Sequence, residues 1–187
     1  MEWTIPGTAL RGPRDDVEAS IRQIEGMFLG GGMIRSQMAS VSGVEAYDIQ
    51  NWVKRGFLSN PVNKRYSCNQ FCRIVTINML RSAMTMDKIC SLLTYINGEL
   101  DDESDDLIDD TVLYFMFLRL AARARHIGGT ESWDKAIADI LKDYVEPVPG
   151  AKKRIDQVLR IMLTAWIGVQ TIRKAEQMLS ELGNAGI

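Results

Sequence analysis

Tyr47-Asp48-Ile49-Gln50-Asn51-Trp52-Val53-Lys54-Arg55-Gly56-Phe57-Leu58 is the stretch whose reading decides the fold. Ile49, Trp52 and Val53 recur at helical spacing, which predicts a short amphipathic helix carrying Tyr47 near its start. Gly56 suits a left-handed residue at the helix end. Phe57 and Leu58 then join Trp52 as core, because large aromatic and aliphatic side chains at such spacing bury. Upstream, a second short apolar-periodic segment beginning near Ser36 meets this helix at Ser42-Gly43. Downstream, Asn60-Pro61-Val62-Asn63-Lys64-Arg65-Tyr66-Ser67 reads as a basic loop framed by turn residues.

Helical pattern resumes through Phe71, Ile74, Ile77 and Leu80, and again through Met86, Ile89, Leu92 and Leu93. Two short helices, a glycine-containing turn and a basic loop form a geometry that can offer a helix to the major groove of DNA. The second helix and its exit resemble the MerR-type DNA-binding domain. In that family an aromatic-bearing helix ends at a glycine and two large apolar residues, followed by a wing. Pro61, Lys64, Tyr66 and Ser67 match the proline and the basic–x–Tyr–Ser of the wing, Arg73 to Leu80 the third helix, and Met84 to Ile89 the start of the fourth. The chain as a whole resembles a bacterial family of uncharacterised proteins with a MerR-like winged helix-turn-helix. Two departures stand out. Gln50 and Asn51 occupy the place where the MerR pattern has an arginine before its aromatic pair, and an acidic segment with several helices follows where that class has one long dimerising helix.

The resemblance implies an all-α fold with a small β-hairpin wing. It also implies a DNA face made by Tyr47, Gln50, Asn51, Lys54, Arg55, Asn63, Lys64 and Arg65. The chemistry of those residues agrees. Paired donors and acceptors on Gln50 and Asn51 suit base edges or phosphates, and Lys54, Arg55, Lys64 and Arg65 suit a phosphate backbone. The expected function is a DNA-binding transcriptional regulator acting on double-stranded DNA. The alternative is a non-enzymatic protein-interaction module that keeps the fold without binding DNA.

Charge along the 187 residues is uneven, although the net is only −2. Residues 33–100 carry eight Lys/Arg against four Asp/Glu, residues 101–146 five against twelve, and residues 147–187 six against three. Fields are felt within about 8–10 Å at physiological salt, so this local +4 matters more than the total.

Three segments are expected: 1–32, an N-terminal helix and glycine hinge; 33–97, the winged helix-turn-helix; and 98–187, a C-terminal helical region for packing or dimerisation. Residues 1–13, with Pro6, Gly7, Gly12 and Pro13, read as an extended or frayed lead-in. Asp15 or Asp16 caps a helix reaching about Leu29, and Gly30-Gly31-Gly32 stops it. After Asn97-Gly98 and the acidic stretch 101–106, helices are expected over Leu107 to Arg125, Ser132 to Tyr144 and Lys152 to Leu182, with Gly183 as the last C-cap. In the last helix Ile161, Leu163 and Ile167 flank the Ile155–Leu159–Met162–Trp166 stripe. That is apolar on too many sides for a helix facing water, so a homodimer through the helices after residue 106 is expected.

Other chemistry finds little support. Three cysteines, an odd number, argue against a disulfide framework. Cys68 and Cys72 share a helix face with Cys90 on the next helix, but one histidine in the chain leaves a closed metal site short of ligands, and buried small hydrophobes are the expected role. The 101–110 acidic cluster lacks the glycine and terminal glutamate of a calcium loop, and His126 has neither nucleophile nor orienting partner nearby. No cofactor and no enzymatic activity are expected, and an effector ligand is not specified. With no apolar run near the roughly 18 residues of a membrane span, and no secretory pattern at the N-terminus, the cytoplasm is the expected compartment.

Overall fold

The computed structural model describes residues 2–98, 106–124 and 133–184. Over these run two strands, β1 (Glu2–Thr4) and β2 (Arg11–Pro13), and the helices α1 (Val17–Gly26), α2 (Arg35–Ser42), α3 (Ala46–Lys54), α4 (Cys68–Leu80), α5 (Met86–Asn97), α6 (Asp110–Arg123), α7 (Trp133–Ile140) and α8 (Ala151–Asn184). The fold is mostly helical, with one small antiparallel sheet. His126, Gly128-Gly129 and residues 101–105 of the acidic stretch lie outside the described residues.

The centre is α4. Phe71, Cys72, Ile74, Val75, Ile77, Met79 and Leu80 are all buried, so the helix is apolar on nearly every side and must sit inside. It packs chiefly on α6, whose Leu113, Tyr114, Phe117, Leu118 and Leu120 are buried in turn. Around them pack α2, α5 and α8. One continuous core takes in Ile5, Ile24, Ile49, Phe117 and Ile155, so segments far apart in the chain share it.

The sheet corrects the sequence reading. Strands were expected in the wing at 60–67. There, among the described residues, only isolated bridges form, Val62 with Arg65 and Met33 with Tyr66. The strand pair lies instead in residues expected to fray, with Trp3 opposite Gly12. Long-range docking is the reason. Ile5 is fully buried, the Tyr114 hydroxyl donates to the Pro6 carbonyl at 2.7 Å, and Asn78 Nδ2 donates to the carbonyls of Gly7 (2.9 Å) and Ser42 (3.1 Å). Gly7 has φ +77°, and a Cβ there would stand 2.1 Å from the Val75 carbonyl oxygen of α4. Only glycine permits that approach.

Helix ends also shift. Asp16 caps α1 by accepting from the Ala19 N–H at 2.9 Å, but α1 ends at Gly26, and Phe28 leaves it to stack on Phe71 at 5.6 Å. α6 starts at Asp110, not Leu107, because the Asp109 carboxylate accepts from the Thr111 N–H at 2.7 Å and caps it there. α7 stops at Ile140, and the Tyr144 hydroxyl turns to donate to the Leu107 carbonyl at 2.6 Å. α8 continues through Gly183 to Asn184.

One buried ion pair ties the layers. Arg73 on α4 donates from Nη1 to Asp110 Oδ2 of α6 at 3.2 Å and from Nε to the Phe57 carbonyl at 2.9 Å, with both side chains about nine-tenths buried. Burial pushes the Asp110 carboxyl above the usual carboxylate range, and the Arg73 guanidinium pulls it part of the way back.

Two outcomes follow. Asp110→Ala strands the Arg73 charge in the core and lowers unfolding free energy by about 3–5 kcal/mol in urea denaturation; a loss below about 1 kcal/mol contradicts the described burial. Gly7→Ala costs more than about 1 kcal/mol and speeds proteolysis near residues 5–10, since its φ and its contact with Val75 are both incompatible with a side chain.

Candidate functional site

The α2–α3 pair turns at Gly43, which takes φ +70° as the α2 C-cap and donates its N–H to the Ala39 carbonyl at 2.9 Å. α3 buries Ile49 and Trp52, and these fix which side looks out. Tyr47, Gln50 and Lys54 lie on that outer side, at i, i+3 and i+7. Tyr47 is 72% exposed, Gln50 and Lys54 are exposed, and Asn51 is half-buried at the flank. Asp48 on the same helix is neutralised by Arg81, at 3.1 Å, while the Arg81 guanidinium stands 5.8 Å from the Trp52 ring. The helix leaves through Arg55, stacked 4.5 Å over Phe57, and through Gly56 at φ +70°.

The loop that follows is held at both ends. Gln70 does most of this from the first turn of α4. Its Oε1 accepts from the Ser67 N–H at 3.0 Å, closing a reciprocal cap with the Ser67 hydroxyl. Its Nε2 donates to the carbonyls of Ser59 (2.9 Å) and Asn60 (3.1 Å). At the far end, buried Tyr66 exchanges two backbone hydrogen bonds with Met33 (3.0 and 2.7 Å), and Arg65 Nη1 donates to the Gly32 carbonyl at 2.9 Å. Gly32, expected as part of a hinge, is closely pressed here, for a Cβ would meet the Tyr66 carbonyl oxygen at 2.7 Å.

At the tip, Asn63 (φ +50°) and Lys64 (φ +62°) are both left-handed, and the Arg65 N–H returns to the Val62 carbonyl at 2.9 Å. Two central residues at positive φ define a type I′ turn, in which asparagine at the first place is ordinary and glycine at the second is preferred. Lys64 holds the glycine position, at a cost of about 1–2 kcal/mol for a residue with a Cβ.

The structure therefore gathers Lys54 and Arg55 at the α3 exit, and Asn63, Lys64 and Arg65 on one loop tip, all exposed. None of Lys54, Arg55, Lys64 and Arg65 forms an ion pair among the described residues, a state they share with Arg35, Lys88, Arg173 and Lys174, so it is their grouping at the α3 exit and loop tip that sets them apart. Arg35, exposed in the first turn of α2 two residues beyond the Met33 pairing, was not anticipated. Its signal in the sequence was only a basic residue beside a helix start. Of the cysteines, Cys72 is buried, and desolvation pushes its thiol well above the ordinary range, as expected of a small core residue.

Residues 34–117 match the family described as Domain of unknown function (DUF1836). That match begins at the residue before α2, ends within α6 and contains both Arg73 and Asp110. An uncharacterised family is what it supports. No curated protein and no solved structure matches the chain. No helix among the described residues is long and apolar enough to cross a membrane.

The strained tip gives a direct check. Lys64→Gly removes a left-handed side chain and raises stability by about 1 kcal/mol in thermal or urea unfolding. A destabilised variant contradicts the turn geometry.

Proposed function

We propose that α2, α3 and the 59–67 loop form a MerR-like winged helix-turn-helix, and that the protein is a non-enzymatic transcriptional regulator binding double-stranded DNA as a homodimer. α3 enters the major groove with Gln50 and Tyr47 leading and Asn51 at its flank, while Lys54, Arg55, Lys64 and Arg65 bond phosphates on either side. The observation that carries this reading is the set of four exposed cations without acidic partners among the described residues, on a face where the one acid within α3, Asp48, is already neutralised by Arg81. Cations so placed have no acidic partner among the described residues and release counterions on meeting a phosphate backbone. Lys64, kept where glycine would be easier, adds to it, because strain retained at an exposed tip points to use.

The second reading is a protein-interaction module, favoured by Tyr47 at 72% and Val62 at 74% exposure on the same surface. Salt dependence separates the two. Lys64→Ala with Arg65→Ala weakens binding to duplexes of any sequence and flattens the plot of log affinity against log salt by about 0.9 for each lost phosphate contact. An unchanged slope removes the loop from the DNA face, and no duplex binding by the parent protein at low salt leaves the interaction module.

A further inference from the structure

The side of α8 away from the core carries an apolar repeat that is mostly exposed in the protomer, only its first member, Ala165, packing against the core. Ile155, Leu159, Met162 and Val169 are buried in the protomer. On another side run Ala165, Gly168, Ile172, Ala175, Leu179 and Leu182, spaced 3-4-3-4-3, which is the heptad seam of a two-stranded coiled coil. Ile172, Leu179 and Leu182 are 59%, 70% and 71% exposed, every residue from 171 to 182 is exposed, and Met178 flanks the seam. Gly168 is the odd member. A glycine inside a helix costs about 1 kcal/mol against alanine, and here nothing among the described residues lies within 4 Å of where a Cβ would be. No contact with the described residues requires it.

We propose that this seam is occupied by the same seam of a second copy, running antiparallel, with the two-fold axis between residues 173 and 174. In that register each layer sets a large side chain against a small one: Leu182 against Ala165, Leu179 against Gly168 and Ile172 against Ala175, each pair occurring twice. The parallel register instead sets Gly168 on Gly168, Ala165 on Ala165 and Ala175 on Ala175, leaving three of six layers unfilled, which close packing disfavours. Eighteen residues at about 1.5 Å each give a seam of about 27 Å. Its burial is on the order of 1,000 Å² in total, enough for a specific interface of modest strength when the packing is good. The inference locates the homodimer of the proposed function and is independent of its DNA contacts.

The test is a substitution whose sign depends on the register. Gly168→Leu has room among the described residues and improves helix propensity, so it acts through the interface and not by unfolding. In the antiparallel seam it sets leucine against Leu179 and raises the dimer dissociation constant about tenfold or more in sedimentation equilibrium. Adding Leu179→Ala in the same chain restores one large and one small residue per layer and returns the constant to within about threefold of the parent. Tighter dimers with Gly168→Leu alone mean a parallel seam and overturn the proposal. An unchanged constant, or a parent protein that is monomeric at tens of micromolar, overturns it as well. Lys64→Ala with Arg65→Ala leaves the dimer constant unchanged, so failure of the seam and failure of the DNA reading are told apart.

Discussion

Arg73 is the junction on which the architecture depends. It sits on the most enclosed helix, where an unpaired guanidinium is untenable. Its two bonds go to different layers, the Phe57 carbonyl at the α3 exit and the Asp110 carboxylate at the start of α6. A buried ion pair is a weak source of net stability but a strong constraint on arrangement, because any register that breaks it leaves a charge in the core. Here that constraint fixes where α3 ends relative to α4 and α6, and hence which way the outer side of α3 points. The span matched to the uncharacterised family holds both partners.

The same logic runs outward from the core to the face. Trp52 and Ile49 anchor α3 from beneath, Gln70 grips the start of the loop, and the Met33–Tyr66 pairing grips its end. Exposed cations thus stand on a frame with little freedom of its own. Phosphate contacts made from rigid elements lose less conformational entropy on binding than contacts made from floppy ones. Under the proposed DNA reading, a loop of isolated bridges would serve as the wing without being a true strand pair.

Much of this was legible in the sequence, and the failures share a cause. The α3 helix, its glycine exit, the basic loop and the positions of the four cations followed from periodicity and turn chemistry, which are local. The β1–β2 hairpin did not, because its strands are three residues long and its glycines and prolines read as punctuation. What orders it is contact with Val75, Asn78 and Tyr114, which lie far along the chain in α4 and α6. Arg73 was visible as a helix residue but not as a buried one, since its partner Asp110 lies in a distant acidic stretch that looks solvated. In α8 the excess of apolar residues was plain, whereas the seam could be separated from the core-facing residues only once the core side was known.

The central claim is that the α3 face reads duplex DNA, and the most direct measurement is recovery of genomic fragments crosslinked to the protein in its own cell. The account predicts enrichment of a shared motif arranged as two inverted half-sites, as a two-fold dimer requires. Recovered fragments with no common motif, at the level of a sample lacking the protein, would contradict it.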